Sequence, residues 1–197
     1  MDYPDPTKLN IRELKRTDWP VIEELFGSRG ACGGCWCMFW RVERGGKLWE
    51  ENKGDPNRRA FKDLVKTGKV TGILAFDKKA PVAWCSFGRR TEFPRTERMK
   101  AYVRKDAEPV WSINCFYIKN GYRGIGLTEQ LIAKAVKGIK RRKGKLIEAY
   151  PVTLTKAGEK LPPAFSHPGP EIIFKRQGFI EIQRLSQSRP LYRLDLS

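Results

Sequence analysis

The sequence predicts a mixed α/β fold, and three observations carry this prediction. The stretch Val110–Ile118 has the β-branched and aromatic residues of a buried strand. A turn with two glycines follows, and apolar residues then recur at helical spacing from Leu127 until Gly144 ends the helix. A second apolar stretch, residues 146–152, comes next. Strand, helix and strand in this order predict a βαβ unit with parallel strands.

The residues before this unit are predicted to form a strand, two helices and a hairpin. Polar and apolar residues alternate in the first strand, and both helices carry start and stop signals. The elements in order are a strand around Leu9 and Ile11, a helix capped by Thr17 and Asp18 that runs to Gly27, a helix from Asp55 to Gly68, and a hairpin of strands 70–76 and 81–87.

The remaining segments complete the sheet and connect it. Residues 89–109 are polar and charged, and we expect them to form an excursion over the sheet. Residues 154–170 are rich in proline and are predicted to be a loop that leads into a helix over 171–177. Two strands, residues 179–185 and 191–196, then close the sheet. No repeat or linker interrupts residues 1–197, so we expect a single domain.

Composition narrows the functional classes. The chain has 197 residues, of which 40% are hydrophobic, and its formal net charge is +17. A basic chain attracts nucleic acids, but it equally attracts a ligand with several phosphates. The charges are spread along the chain, which favours a basic surface, so nucleic acid is not the expected partner. The sequence has neither an apolar run long enough to cross a membrane nor a signal-peptide pattern, and its number of cysteines is odd. We therefore predict a cytoplasmic protein with reduced thiols and no membrane partner.

The glycine turn is predicted to bind an anion. Gly124 and Gly126 allow the backbone to approach a ligand closely. The first turn of the following helix has N–H groups without partners inside the helix, and its dipole favours phosphate. The motif of a Walker A loop is missing, and so are the third glycine and the spacing of a dinucleotide-binding fingerprint.

The turn resembles motif A of the GNAT superfamily, the acyl-CoA-dependent N-acyltransferases. The motif is Arg/Gln-x-x-Gly-x-Gly/Ala, and it is matched by Arg123, Gly126 and Thr128, although Thr128 departs from the usual small residue. The segment from Phe174 to Phe179 also resembles the Tyr-Glu-Lys-x-Gly-Phe of this family. The resemblance implies a GNAT fold across nearly the whole chain, with a central, mixed, mostly antiparallel sheet that splays at the motif A strand.

The resemblance also implies acetyl-CoA as the cosubstrate and a set of contacts for it. Pantetheine is expected along the motif A strand at Phe116, Tyr117 and Ile118, bonded as an added strand would be. The pyrophosphate contacts then fall on Arg123, Gly124, Ile125, Gly126, Leu127 and Thr128. Phe174 lies beside the cofactor, at the position where the family often has a tyrosine that protonates the departing thiolate.

The catalytic acid and base are less well defined. In place of the missing tyrosine, the thiolate could take its proton from Tyr150, Cys115, His167 or water, or it could leave without an acid. Glu148 is a candidate base, because strand alternation puts this carboxylate among apolar neighbours on the same face as Tyr150. The alternative is that Glu148 pairs with a lysine or arginine of this basic chain.

Three clustered cysteines raise the question of a metal site. Cys32, Cys35 and Cys37 supply three ligands, whereas a structural zinc site has four, so a distant residue such as Cys85, Cys115 or His167 would have to complete it. The aromatic residues Trp36, Phe39 and Trp40 lie between and after these cysteines. We therefore expect a metal-free loop that covers the acceptor pocket, with its thiols as small apolar groups.

The function implied by the resemblance is N-acetyl transfer. A primary amine, on a small molecule or a peptide, would attack acetyl-CoA directly in a ternary complex. Two alternatives stay open: a GNAT-fold protein that binds CoA without catalysis, and a basic RNA-linked protein. The identity of the amine, the length of the acyl group and the oligomeric state, a homodimer included, cannot be read from the sequence.

Overall fold

A computed structural model describes residues 4–43, 47–97, 109–153, 166–184 and 186–197 of the chain. Its strands are β1 (Asn10–Glu13), β2 (Thr71–Asp77), β3 (Ala80–Arg89), β4 (Val110–Ile118), β5 (Leu146–Ala149), β6 (Ile180–Arg184) and β7 (Pro190–Asp195). Its helices are α1 (Trp19–Phe26), α2 (Lys47–Asn52), α3 (Asp55–Lys66), α4 (Pro94–Glu97), α5 (Leu127–Arg141) and α6 (Glu171–Arg176).

The strands form one sheet in the order β1-β2-β3-β4-β5-β7-β6. Only β4 and β5 are parallel, as expected for strands joined through α5, and all other neighbouring pairs are antiparallel. β4 pairs with β5 from Val110 to Ile113 only. Beyond Ile113, β4 continues along β3 without β5, so the sheet opens on that side of β4.

Helices cover both faces of the sheet, because successive strand residues point to opposite faces. On one face, α5 and α6 pack on alternate residues such as Ile73, Ala75 and Phe87. On the other face, α1, α3 and the cysteine segment pack on Leu74 and Trp84. Both faces of the central strands are therefore buried, which explains their nearly continuous apolar sequences.

The predicted elements are present, with three differences in detail. Among the described residues, three helices rather than two lie between β1 and β2; the extra helix is α2, which is too short to show a helical apolar pattern. β5 ends at Ala149 rather than at residue 152, because Pro151 has no N–H for the ladder. Val152 forms only an isolated bridge with Pro170.

The third difference concerns the end of α5. The residue in the left-handed conformation is Lys143 (φ 56°), not Gly144. Gly144 donates its N–H to the carbonyl of Ile139, and a Cβ at this glycine would lie 2.6 Å from the Trp111 ring. Gly144 is thus required by the close packing of the helix end on β4, and not by its backbone angle.

Some predicted segments lie partly outside the described residues. Of the excursion over 89–109, residues up to 97 form a 3₁₀ turn (Arg90–Glu92) and α4, and residues 98–108 are not described. Of the loop over 154–170, only residues 166–170 are described. None of the described helices combines the length and the apolar character that crossing a bilayer requires.

Candidate active site

The turn between β4 and α5 has the geometry of an anion site. Gly124 (φ 79°) and Gly126 (φ 81°) both have left-handed backbones, and Gly126 is the N-cap of α5 without a side-chain cap. A side chain with a Cβ is strained in this conformation. Arg123 is held at the turn by a hydrogen bond of 2.9 Å from its Nε to the carbonyl oxygen of Ile118. The start of a 15-residue helix and a guanidinium thus face the same space.

A cavity of about 580 Å³ opens from this turn along β4. Aromatic side chains form much of its wall, and its cations are Lys53 and Arg123. Among the described residues that line it, there is no aspartate or glutamate. The lining residues are Phe26, Ala31, Cys32, Gly33, Cys35, Cys37, Phe39, Trp49, Lys53, Trp84, Cys115, Phe116, Tyr117, Ile118, Arg123, Gly124, Thr128, Val152, Ser166, His167, Gly169 and Pro170.

The free edge of β4 meets residues 166–170. The N–H of Phe116 donates to the carbonyl oxygen of His167 at 2.7 Å, and the His167 ring packs edge-on against Phe39. Pantetheine bonded as an added strand would need this same N–H. In this conformation, one of the backbone donors predicted for the cofactor is therefore already used.

Four thiols line the cavity, and two of them interact directly. Cys37 is buried, and its Sγ accepts a hydrogen bond of 3.3 Å from Nε1 of Trp84. The side chains of Cys37 and Cys115 also share a hydrogen bond, which lowers the pKa of Cys37 and raises that of Cys115, although burial raises both. Burial raises the pKa of Cys35 to about 11. The hydrogen bond from Trp84 and the interaction with Cys115 thus both favour a thiolate at Cys37.

The backbone at Cys37 is unusual. Trp36 (φ 46°) and Cys37 (φ 55°) are consecutive non-glycine residues in the left-handed region, which such residues seldom adopt. Surrounding contacts hold them there, among them the hydrogen bond from the Trp36 N–H to the Gly30 carbonyl. Strained backbone of this kind is concentrated at functional sites in proteins.

A buried arginine lies behind the cysteine segment. The side chain of Arg41 is 4% exposed, stacks on Phe93 with 4.6 Å between its Cζ and the ring centre, and lies 3.6 Å from Glu92. Its Nε and Nη2 have no hydrogen-bond partner among the described residues. The charge of Arg41 lies within electrostatic reach of Cys37 and also lowers the pKa of that thiol.

Glu148 is fully buried and lies among cations. Its Oε1 is 2.9 Å from Nη2 of Arg193 and 3.5 Å from Nη1 of Arg90, while its Oε2 accepts a hydrogen bond of 2.7 Å from the Tyr150 hydroxyl. Glu148 and Tyr150 share a face, as alternation predicted, but neither lines the cavity. These contacts favour the ion-pair alternative over the role of a base.

The other predicted site residues separate into two groups. Those that line the cavity are Cys115, Phe116, Tyr117, Ile118, Arg123, Gly124, Thr128 and His167. Ile125 and Gly126 belong to the turn but are not part of this lining, and Leu127 is buried in the core. Phe174 is also fully buried and packs edge-on against Phe116, so it supports the cavity wall from behind.

Sequence reasoning missed two contacts of this region. Arg193 lies directly opposite Glu148 in the β5–β7 register, a pairing that a strand alignment could have found. The contact between Trp84 and Cys37 joins β3 to a loop far away in the chain, and no local pattern indicates it. In contrast, the expectation that the cysteine segment borders a pocket agrees with the lining positions of Cys32, Cys35 and Cys37. No group of three or more metal-binding side chains is found among the described residues.

Comparisons with known proteins agree with this architecture. No protein-family model matches the chain, and neither does any curated protein. A solved N-acetyltransferase from Staphylococcus aureus Mu50 is 12% identical, with a TM-score of 0.57 over 96% of this chain and 99% of that chain. A ribosomal-protein-alanine N-acetyltransferase from Brucella melitensis is 16% identical, with a TM-score of 0.55 over 95% and 99% of the two chains.

A third structure was solved with a ligand. PaiA N-acetyltransferase from Thermoplasma acidophilum, in complex with coenzyme A, is 12% identical, with a TM-score of 0.53 over 95% of this chain and 98% of that chain. The order of the elements, the opening of the sheet beside β4 and the glycine turn before α5 agree with this likeness. The protein therefore has the fold of the GNAT superfamily of N-acetyltransferases.

Proposed function

We propose that this chain is a GNAT N-acetyltransferase that transfers an acetyl group from acetyl-CoA to a primary amine. The observation that carries the proposal is the turn from β4 to α5, where Arg123 and the left-handed Gly124 line the cavity and the left-handed Gly126 begins α5. Phosphates of CoA would bind the turn over residues 123–128, and the pantetheine arm would extend along β4 towards Cys115. A fold neighbour holds coenzyme A, which supports this choice of ligand.

The cavity wall restricts the acceptor. A polycation would find no carboxylate among the described lining residues, whereas Lys53 and Arg123 would repel it. The aromatic rings of Phe39, Trp49 and Trp84 suit an amine with an apolar body. We propose a small molecule or a peptide terminus of this kind as the acceptor. Cytoplasmic location and a homodimer stay predictions.

The net reaction breaks the acyl C–S bond and forms a C–N bond. Polarisation of the acetyl carbonyl by the Phe116 N–H would require His167 to release its hydrogen bond to that group. Cys115, one of the candidate proton donors for the departing CoA, lies at the thiol end of the proposed pantetheine path. Tyr150 and Glu148 are held in their own buried network, so water is the better candidate for the base.

The contact between His167 and Phe116 favours a second candidate, a protein that binds CoA without catalysis. Both candidates predict acetyl-CoA binding, and they differ in turnover. The test measures release of CoA in the presence of a panel of apolar amines. The transferase is supported if one amine increases the release and mass spectrometry detects the corresponding amide. Binding with no amine-dependent release across the panel supports the second candidate.

Binding itself is tested at Gly126. In Gly126→Glu a carboxylate opposes the phosphates, and calorimetry should show the affinity for acetyl-CoA falling by about 100-fold or more. Gly126→Ala is the matched control, because it imposes the same left-handed strain without the charge. Equal affinities of the two variants, each folded by circular dichroism, would place the phosphates elsewhere.

A further inference from the structure

Cys37 combines features that a structural cysteine does not need. It is a buried thiol at the wall of a ligand-sized cavity, and it accepts a hydrogen bond from Trp84 and shares one with Cys115. Its backbone is held in the left-handed region, and a buried arginine, two of whose nitrogens have no partner in the described part of the chain, lies within electrostatic reach. Each of these contacts favours a sulfur that carries negative charge and faces a bound molecule.

The position of Cys37 relative to β4 indicates what that molecule would present to it. Cys115 directly precedes Phe116 on β4, and its thiol contacts Cys37. If the phosphates occupy the glycine turn, the arm that runs along Ile118, Tyr117 and Phe116 ends beside these two thiols. The end of that arm is the thioester, so the acyl carbon would be delivered to Cys37.

We infer that Cys37 is an acyl-acceptor site, and that the acetyl group passes through a Cys37 thioester before it reaches the amine. This inference rests on the proposed function. In the first step the Cys37 thiolate attacks the acyl carbon and forms a C–S bond to it. The C–S bond to CoA breaks, and CoA leaves with the electron pair as a thiolate. In the second step the amine attacks the Cys37 thioester, the amide forms, Cys37 leaves as the thiolate, and the surplus proton of the amine goes to water.

The composition of the cavity supports this route. A thiolate is a nucleophile without the help of a base, and the described lining contains no carboxylate that could serve as one. Exchange of one thiolate for another also needs no acid to protonate the leaving group, because the two sulfur anions are chemically alike. Cys37 is also the cavity thiol that accepts the hydrogen bond from Trp84, whereas burial raises the pKa of Cys35 and the hydrogen bond to Cys37 raises that of Cys115.

The test needs no knowledge of the amine. Purified protein is incubated with acetyl-CoA and isotopically labelled free CoA, without any acceptor, and the label that appears in acetyl-CoA is measured. A covalent intermediate on Cys37 predicts exchange in the wild type and a loss of about 100-fold or more in Cys37→Ala. Cys85→Ala is the matched control, because it removes a buried thiol of β3 and this thiol does not line the cavity. The rate at which Cys85→Ala incorporates label into acetyl-CoA should equal that of the wild type.

A second measurement identifies the residue without a variant. Acid-quenched wild-type protein should carry one acetyl group, removable by neutral hydroxylamine as a thioester is, and peptide fragmentation should locate it at Cys37 rather than at Cys32 or Cys35. A folded wild type that binds acetyl-CoA by calorimetry but shows neither exchange nor adduct overturns the inference and leaves the proposed function standing. Exchange that survives in Cys37→Ala, or an adduct on another residue, overturns it too. No binding of acetyl-CoA to the wild type overturns the proposed function, and the inference with it.

Discussion

The role of a single residue can depend on neighbours that its own strand does not reveal. Glu148 looks like a base in the sequence, since a carboxylate among apolar residues requires an explanation. In the structure the explanation is a network: Arg193 faces it from β7, Arg90 approaches it from the turn after β3, and Tyr150 donates to its second oxygen. A buried carboxylate that satisfies two partly buried guanidinium groups is engaged in folding before any substrate arrives.

We predict that Glu148→Gln acts on stability rather than on chemistry. Loss of the carboxylate leaves the partly buried Arg193 and Arg90 without their counter-charge, so the free energy of unfolding should fall by about 3 kcal/mol in urea titrations. Tyr150→Phe is the matched control: it removes one donor, keeps both ion pairs and should cost only about 1 kcal/mol. Acetyl-CoA binding should persist in both variants at low temperature. A stable Glu148→Gln protein with turnover reduced by about 100-fold would restore Glu148 as the base.

At the scale of elements, the position of α5 determines where the glycine turn points. Its apolar face packs on β2, β3 and β4, and Gly144 lets its C-terminal end approach Trp111 closely. The same end is joined to β1 at the sheet edge, where Glu13 accepts hydrogen bonds from Arg141 and, at 2.7 Å, from Nη2 of Arg142. The C-terminal end of α5 is thereby held both to β4 in the centre of the sheet and to β1 at its edge.

The pairing of β1 with α5 predicts a pH dependence. The Arg142 guanidinium bonded to Glu13 holds the pKa of that carboxyl below its ordinary value. A lowered pKa means that the stabilisation is complete above the pKa of the unfolded chain and is lost as the pH falls through that of the folded protein. Glu13→Gln should therefore lower the free energy of unfolding by about 1 kcal/mol at neutral pH. In acid, the variant and the wild type should have the same free energy of unfolding.

Urea unfolding between neutral and acid pH checks this prediction. Glu24→Gln, at an exposed glutamate of α1, serves as the control and should leave stability within about 0.5 kcal/mol of the wild type throughout. A Glu13→Gln difference that stays constant with pH would show that the carboxylate is not what joins β1 to α5.

At the scale of the whole molecule, the charge of +17 acts on the ligand as well as on solubility. A cavity whose described charged side chains are all cationic lies in a strongly basic protein, and such a field concentrates anions at the entrance. This explanation accounts for the basic composition without a nucleic-acid partner. It also makes the RNA-linked alternative testable. Binding of CoA and binding of RNA would both be sensitive to salt, but only free CoA would compete with acetyl-CoA for the cavity.

We predict that acetyl-CoA binding weakens with salt. Between about 50 mM and about 500 mM sodium chloride the affinity should fall on the order of tenfold, because screening removes the attraction between the basic field and the phosphates. Acetyl-pantetheine, which has no phosphate, is the control ligand and should bind equally weakly at both concentrations. If calorimetry shows the same salt dependence for both ligands, the basic charge of the protein does not attract the phosphates of acetyl-CoA.

What the sequence by itself determined is local. The hairpin, β4 and α5 are visible in it because each depends on the period of neighbouring residues, and the glycine turn is visible because left-handed backbone favours glycine. The fold class followed from the order of these elements. The short helix α2 escaped notice because six residues are too few to show a period.

The tertiary structure alone decided which distant residues meet. Cys37 contacts Cys115 and Trp84 only because the cysteine segment packs on the face of the sheet that β3 and β4 share. Glu148 meets Arg193 only because β7, and not another strand, lies beside β5 in this register. Strand order and register are set by how whole faces bury against one another, and this information is not present in any single stretch of the chain.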